Sequence, residues 1–362
     1  MTTIHLVYPH GSSIASPWSI GRVLAESLRE HFDVEQYGWD EIRVIHPDPG
    51  DVLLGHPHPA PWTVFRRSSR KPGWQRIIAL WPFKTEPAEV AFADPVIPRC
   101  DLNLAISGSY WFERLDGSLV SHWAPKMSRL DMAVDRRDFP VIKREFNPPG
   151  LRKFLYIGGR GWSKNTRYLE KIASVLPSDT ISWIGLGRRA IRGVNALGYC
   201  DFTESEARRI VADHDFMLTV GKADANPTTI LEAMAWGLVP VCTPTSGYVG
   251  HPGIANVPLD DVAGSMDVMQ HLQESPEVRL REMQIANWEA LDTTYNWQRF
   301  AAQVLKAVLS DSSPAVLKEG FGRKIQLRAR ALTVPLSSPY CLLRRRNLGR
   351  FVRSKSHLPT SG

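Results

Sequence analysis

Between Phe216 and Thr243 the chain reads as strand, turn, helix and strand, the building unit of α/β folds. Phe216 to Val220 is an apolar run. Asp224-Ala225-Asn226-Pro227 opens a helix that Gly237 stops, and Val239 to Thr243 is apolar again. Strands alternating with helices argue for a parallel, doubly wound sheet. The alternation starts earlier. Phe154 to Ile157 reads as a strand, 158–164 as a loop, Thr166 to Leu176 as a helix, and Ile181 to Ile184 and Val194 to Leu197 as strands. Thr203-Glu204-Ser205-Glu206 has the form of a capping box opening a helix to about His214.

The first half is less regular. A short strand at Ile4 to Tyr8 precedes a helix from about Trp18 to His31, with Ile20, Val23, Leu24 and Leu28 on one face. Val52 to Leu54, Ile77 to Leu80 and Leu102 to Ile106 are further strands, separated by Pro-rich loops such as 56–61. The pattern restarts near Leu151, after Asn147-Pro148-Pro149-Gly150, which reads as a linker. The 362 residues, 43 % hydrophobic, suffice for two cores. Two α/β domains are therefore expected, over 1–147 and 151–296, with a cleft between them and ligands beyond the carboxyl ends of the strands.

Charge and cysteine usage narrow the setting. Cys100, Cys200, Cys242 and Cys341 are scattered without CxxC or Cys/His spacing, which argues against a disulfide framework or a structural zinc site. Residues 1–30 lack a basic segment followed by a long apolar run, and no stretch approaches the roughly 18 apolar residues of a membrane span. A soluble, cytoplasmic protein is expected. The net charge of +7 is concentrated at one end. From Asp311 onward eleven Lys/Arg face two acids, a net +9, so the preceding residues carry −2.

Two strand-to-helix junctions carry the candidate chemistry. At the first, Asn226 suits an N-cap and Pro227 the first helical position, which would free the N–H groups of Thr228, Thr229 and Ile230. A free helix N-terminus attracts phosphate, whereas Asp224 and Glu232 beside it repel phosphate and accept hydrogen bonds from sugar hydroxyls. That pairing suits a nucleotide-sugar better than a bare nucleotide; the plain alternative is a capped helix with two solvated acids. The second junction is Gly158-Gly159-Arg160-Gly161-Trp162-Ser163-Lys164. It is neither a Walker A loop nor GxGxxG, yet its amides can cradle a diphosphate, with Arg160 and Lys164 supplying positive charge; the alternative is two exposed cations.

These residues resemble the retaining GT-B glycosyltransferases of the family-4 type, which carry a carboxylate, seven residues and then Glu. Here Asp224 and Glu232 hold that spacing within DANPTTILEAMAWGLVP, with Asp in place of the first Glu. Arg160 and Lys164 in GGRGWSKN resemble the pair that holds the donor diphosphate. Met132-Ala133-Val134-Asp135 with Phe139-Pro140 resembles the segment leading into the second domain, and Trp297 in YNWQRFAAQVL the start of a closing helix. The resemblance covers about residues 130–310. It implies two Rossmann-like domains facing a central cleft and a closing helix over 297–310 that returns to the first domain; the charge count marks 311–362 as a basic tail. It also implies that Asp224 contacts the transferred sugar and Glu232 the ribose, with Ala225, Asn226, Pro227, Thr228, Thr229 and Gly159 lining the donor and the Gly11 loop closing over it. The family's first-domain His has no counterpart in Ile77 to Pro82; His10, His56 and His58 are the candidates to replace it, the plain alternative being that His in a Pro-rich loop is merely exposed.

The expected activity is retaining, metal-independent transfer of a sugar from a nucleotide-sugar to a glycan or lipid-linked acceptor in surface polysaccharide assembly. No DxD-type motif stands out and no cofactor is expected. The alternatives are an epimerase or hydrolase of the same architecture and an inactive nucleotide-sugar-binding scaffold. Residues 321–355 mix apolar and basic side chains in a way that suits peripheral docking on an anionic bilayer, the alternative being a solvated tail. Nucleic-acid binding is not expected, because no aromatic-interleaved platform accompanies the charge.

Overall fold

The computed structural model describes residues 2–310 except 12–15, 59, 61, 86–95, 119, 186–188 and 203. The proposed membrane-docking residues 321–355, Cys341 and Thr203 of the expected capping box lie outside the described residues. The chain folds as two compact units. Unit 1 takes the residues up to Ala105, Arg114–Ser128 and the chain from Ala301; unit 2 takes Ile106–Glu113 and Arg129–Phe300.

Unit 1 is built on β1 (Thr3–Val7), β2 (Asp33–Tyr37), β3 (Val52–Gly55), β4 (Arg76–Pro82), β5 (Leu102–Ile106) and β6 (Met127–Leu130), in the order β2-β1-β3-β4-β5-β6. β1 pairs in parallel with β2 and β3, and β3 with β4. Helix α1 (Ser16–Arg29) buries Ile20, Leu24 and Leu28, the stripe expected from its 3.6-residue period. α2 (Val64–Ser68) and α3 (Gly108–Glu113) are short. β2 escapes a search for apolar runs because it is an edge strand whose DVEQY residues alternate half-buried with exposed.

One face of β1 carries a polar group. His5, 6 % exposed, bridges Asp51 (3.1 Å) and the Tyr37 hydroxyl (2.9 Å). Burial raises the Asp51 carboxyl, but N–H donors from Asp48 and Thr3 together with the His5 ring outweigh it and hold Asp51 below its ordinary value. The stability contributed by a depressed carboxyl is present above its unfolded pKa of about 3.9 and is lost as pH falls through the folded value. Asp51→Asn is therefore expected to flatten the acid decline of the urea midpoint below about pH 4. An equally steep decline in the variant would remove Asp51 as its cause.

Unit 2 is built on β7 (Phe154–Ile157), β8 (Ile181–Ile184), β9 (Asn195–Gly198), β10 (Phe216–Thr219), β11 (Val239–Cys242) and β12 (Ala255–Asn256), in the order β12-β11-β10-β7-β8-β9. The pairings are parallel throughout. The helices are α4 (Thr166–Ala173), α5 (Ser205–Asp213), α6 (Thr228–Trp236), α7 (Val262–Glu274), α8 (Glu277–Thr293) and α9 (Trp297–Leu309), which runs from unit 2 into unit 1. Phe154, Tyr156, Leu169, Ile172, Phe216, Leu218, Val239 and Val241 form the centre of the core. α5 is capped at Glu204 without a side-chain bond rather than opening at the expected Thr203. α6 ends as expected at Gly237, whose φ of +92° lets the N–H groups of Gly237 and Leu238 turn back to Met234 and Ala233. No helix of the described residues is long and apolar enough to cross a membrane.

Candidate active site

In unit 2, β7 pairs with β8 on one side and with β10 on the other, so the winding reverses between β7 and β10. Ligands of open α/β sheets bind beyond the carboxyl ends of the strands at such a reversal. The loop after β7 is 158–165, and the loop after β10 is 220–227. Both junctions singled out in the sequence lie at this one point.

The first loop is held through its backbone carbonyls by side chains of the flanking strands. Trp183 Nε1 donates to the Gly158 carbonyl (2.8 Å), and the Tyr156 hydroxyl donates to that of Gly159 (2.7 Å). Gly185 is obligatory beneath it, since a Cβ there would lie 2.2 Å from the Gly158 oxygen. The N–H groups of Lys222 and Ala223 both donate to the Ser163 carbonyl, at 2.9 and 3.3 Å, which fastens the second loop to the first. Across that seam Lys164 and Asp224 form an ion pair, with side chains 31 % and 20 % exposed. Lys222 lies 4.3 Å above the ring of Trp162, which is itself exposed. Thr243 and Thr245, beyond β11, both donate to the Gly221 carbonyl and set the turn that leads to Asp224.

Arg160 stands on the same loop but points elsewhere. Its guanidinium meets Glu170 on α4 (3.1 Å) and the carbonyls of Arg189 and Ala190 (2.9 and 3.0 Å). Lys164 and Asp224 are thus brought together, and Arg160 is paired away from them.

The helix start differs from the expectation at two residues. Asn226 is not the N-cap, and Pro227 is not the first helical residue: α6 begins at Thr228, and Pro227 occupies the cap position without a side-chain bond. Asn226 has a φ of +50°, whereas a capping residue needs extended dihedrals. Its side chain is turned into the interior, where Oδ1 accepts the Met132 N–H. Nδ2 has no partner among the described residues. The Ile230 N–H, expected to be free, donates to the Pro227 carbonyl (3.3 Å). The N–H groups of Thr228 and Thr229 meet no acceptor among the described residues, so the positive end of α6 stays available. Ala225 is half-buried between Asp224 and Asn226. One turn into α6, burial pushes the Glu232 carboxyl up to about 7, against a hydrogen bond from Thr228 that pulls it down.

The sequence missed part of what surrounds this site. Ile106–Glu113 and the segment from Arg129 belong to unit 2. Trp111 Nε1 donates to the Thr245 carbonyl (2.8 Å), the Ser109 N–H to that of Gly247 (3.2 Å), and the Val134 N–H to that of Tyr295 (3.0 Å). No local signal marks these contacts; the TPTSG run after β11 was the one available hint of a shaped loop.

In unit 1, Gly11 is exposed with a φ of +129°. His10 is exposed, whereas His58 is 7 % exposed and His56 half-buried, contrary to the expectation of solvated loop histidines. Both pack around Trp39, whose ring centroid lies 4.9 Å from His56 and 6.0 Å from His58. Among the described residues no group of three or more His, Cys, Asp or Glu is placed to hold a metal ion.

No family model and no curated protein sequence matches the chain. Solved structures do. A sucrose-phosphate synthase from Thermosynechococcus elongatus superposes with a TM-score of 0.62 at 12 % identity, over 85 % of this chain and 98 % of that one. The lipopolysaccharide outer core galactosyltransferase WaaB gives 0.61 at 17 % identity, over 85 % and 100 %. HepE from Anabaena, in complex with UDP and glucose, gives 0.53 at 10 % identity, over 85 % and 99 %. These similarities show the fold: two Rossmann-like parallel sheets with flanking helices, the GT-B architecture of glycosyltransferases.

Proposed function

We propose that the protein is a glycosyltransferase that moves a sugar from a nucleotide-sugar to a glycan or glycolipid acceptor, with retention and without a metal, in surface polysaccharide assembly. The observation that carries this reading is the Lys164–Asp224 pair across the unit 2 reversal, beside the unoccupied N–H groups of α6 and one turn from Glu232. A diphosphate entering there meets the Lys164 ammonium and the positive end of α6. It competes with Asp224 for Lys164, and the freed carboxylate then faces the sugar, whose hydroxyls it can accept. Glu232 takes the ribose hydroxyls. Gly159, Ala225 and Pro227 line the path.

Arg160 joins the diphosphate by leaving Glu170. Charge builds on the departing diphosphate as the glycosidic bond breaks, and Lys164 with the α6 amides stabilises it in place. The neighbours fit this reading: WaaB is named a galactosyltransferase, and HepE holds UDP and glucose. The basic residues 321–355 would bring the enzyme to a bilayer that carries the acceptor.

A thermal-shift screen of the full chain against nucleotide-sugars and nucleoside diphosphates, with and without magnesium, tests the reading. A ligand at a hundred times its dissociation constant stabilises by about 2.7 kcal/mol. The expected result is a magnesium-independent shift by one nucleotide-sugar that Glu232→Ala abolishes. No shift with any of them would end the transferase reading; conversion of the donor in the absence of acceptor would redirect it to an epimerase or hydrolase.

The same site predicts a pH dependence. Glu232 is protonated below about 7 and a carboxylate above it, and only the carboxylate accepts from both ribose hydroxyls. Donor affinity is therefore expected to rise between pH 6 and 8 and to be flat in Glu232→Gln. A wild-type profile as flat as that of the variant would separate Glu232 from the ribose.

A further inference from the structure

Unit 2 carries a cavity of about 470 Å³ that the donor chemistry does not use. It is lined by residues 150–154, which lead into β7, residues 175–180, which lead into β8, and one side of α7. The candidate active site follows the carboxyl ends of the strands, so the cavity lies at the opposite edge of the same sheet. Its volume falls within the roughly 300–1,000 Å³ of small-molecule sites. Phe154 and Met269, 0 % and 1 % exposed, are its most buried lining, and Leu176 and Met266 are half-buried. Leu151 and Val175 are 69 % and 57 % exposed. A lone exposed apolar side chain is ordinary, but two around one cavity with thioether walls suit an apolar body.

One polar group completes the site. Arg152 also lines the cavity and is 2 % exposed. Its Nε donates to the Asn147 carbonyl (3.1 Å), and its Nη1 to the carbonyls of Leu272 and Gln273. Nη2 is buried without a partner among the described residues, although buried donors are almost always paired. Two carboxylates act on the guanidinium electrostatically, Asp215 and Glu277, and each is held by another cation, Lys143 and Arg281. Lys153 is paired with Asp213 (2.8 Å), and Asp179 is exposed, where water and salt screen it. A guanidinium short of one acceptor bonds a carboxylate more strongly than a neutral oxygen.

The cavity is connected to the candidate active site by two helices. α4 begins directly after Lys164 and Asn165, and Val175 and Leu176 of the cavity follow its other end. α7 contributes Met266, Met269, Gln270 and Gln273. At the end near Lys164 the two helices are bonded. Asn165 Nδ2 donates to Asp260 (2.9 Å), and the Tyr168 hydroxyl meets the Asp261 carbonyl and the Ser265 hydroxyl, both at 2.6 Å. A body seated between their far ends shifts α4 against that tie, and with it the loop that carries Lys164.

We infer that this cavity is an effector site for a small amphiphile, with its apolar body among Met266, Met269 and Leu176 and its carboxylate on Arg152. The cavity stands without the transferase reading; only its effect on the donor rests on that reading.

Octanoate, 1-octanol and octylammonium share one tail and differ in head charge. Each is titrated below its micellar concentration into the full chain and followed by saturation-transfer NMR. Octanoate is expected to bind most tightly and octylammonium least. Gln270 is an exposed lining residue, so Gln270→Trp should fold, obstruct the cavity and weaken octanoate about tenfold or more. Arg152→Met should lower octanoate to the affinity of the alcohol. If that variant does not fold, the order of the three heads in the unmodified protein carries the comparison. Saturating octanoate should change the nucleotide-sugar dissociation constant about threefold or more, read by thermal shift, and Gln270→Trp should abolish that change.

The inference is overturned if octanoate does not bind, if either other head binds better, or if Gln270→Trp binds octanoate as the unmodified protein does. Octanoate binding that leaves donor affinity unchanged overturns the effector role. Octanoate binding in a protein that no nucleotide-sugar shifts ends the transferase reading and leaves the cavity standing.

Discussion

Lys164→Ala is expected to cut sugar transfer by about a hundredfold or more, with little change in thermal stability. Lys164 is the one cation of the 158–165 loop that faces the β7–β10 reversal, and its side chain is 31 % exposed, so the fold does not depend on its pairing with Asp224. The loss should fall mainly on turnover, because an ammonium that meets charge developing on the leaving diphosphate acts most in the transition state. Release of nucleoside diphosphate from the donor identified by thermal shift measures it. Turnover within threefold of the unmodified protein would take Lys164 out of the chemistry. Arg160→Ala is the informative companion. Its guanidinium is already engaged by Glu170 and two carbonyls, so it should lose less activity and more stability than Lys164→Ala.

The largest effect on stability is expected from Asp215→Ala, about 3–5 kcal/mol. Lys143 and Asp215 form an ion pair of 2.9 Å with side chains only 2 % and 0 % exposed. Asp215 also accepts from the Asn147 N–H (2.8 Å), the Asn147 amide (2.8 Å) and the Lys153 N–H (3.0 Å), and so pins the segment before β7 to the start of β10. Removing the carboxylate leaves three donors without their acceptor and a buried ammonium with only the Ala212 carbonyl (3.0 Å). Lys143→Met should cost less, since Asp215 keeps its three N–H donors. Urea midpoints followed by tryptophan fluorescence give both values. A loss under about 1 kcal/mol for Asp215→Ala, or the reverse order of the two variants, would show that the pair is not what holds this corner.

The two strand-to-helix junctions were legible in the sequence, and so was their meeting. A strand, a glycine-rich loop and a helix at 154–176 and again at 216–236 must place both loops at the carboxyl edge of one parallel sheet, whatever the remaining strands do. Edge strand β2 was not legible, because its alternation is polar on one side and only half-buried on the other. Asn226 was misread for an instructive reason. Asn before Pro and a helix is the pattern of a cap, but the Met132 N–H, 94 positions away in sequence, takes the side chain instead. The same holds for His56 and His58, which a Pro-rich loop would leave in water were it not for Trp39 arriving from another strand.

The α/β class, the doubly wound sheets, the C-terminal end of α6 and the eight-residue step from Asp224 to Glu232 follow from the order of residues alone, because periodicity, turn chemistry and capping act within a few positions. The pairing of Lys164 with Asp224, the diversion of Arg160 to Glu170, the turn of Asn226 and the packing of His56 and His58 around Trp39 come from side chains on different strands. Those outcomes depend on which strands become neighbours, and strand order is set by burial summed over the whole sheet rather than by any local stretch.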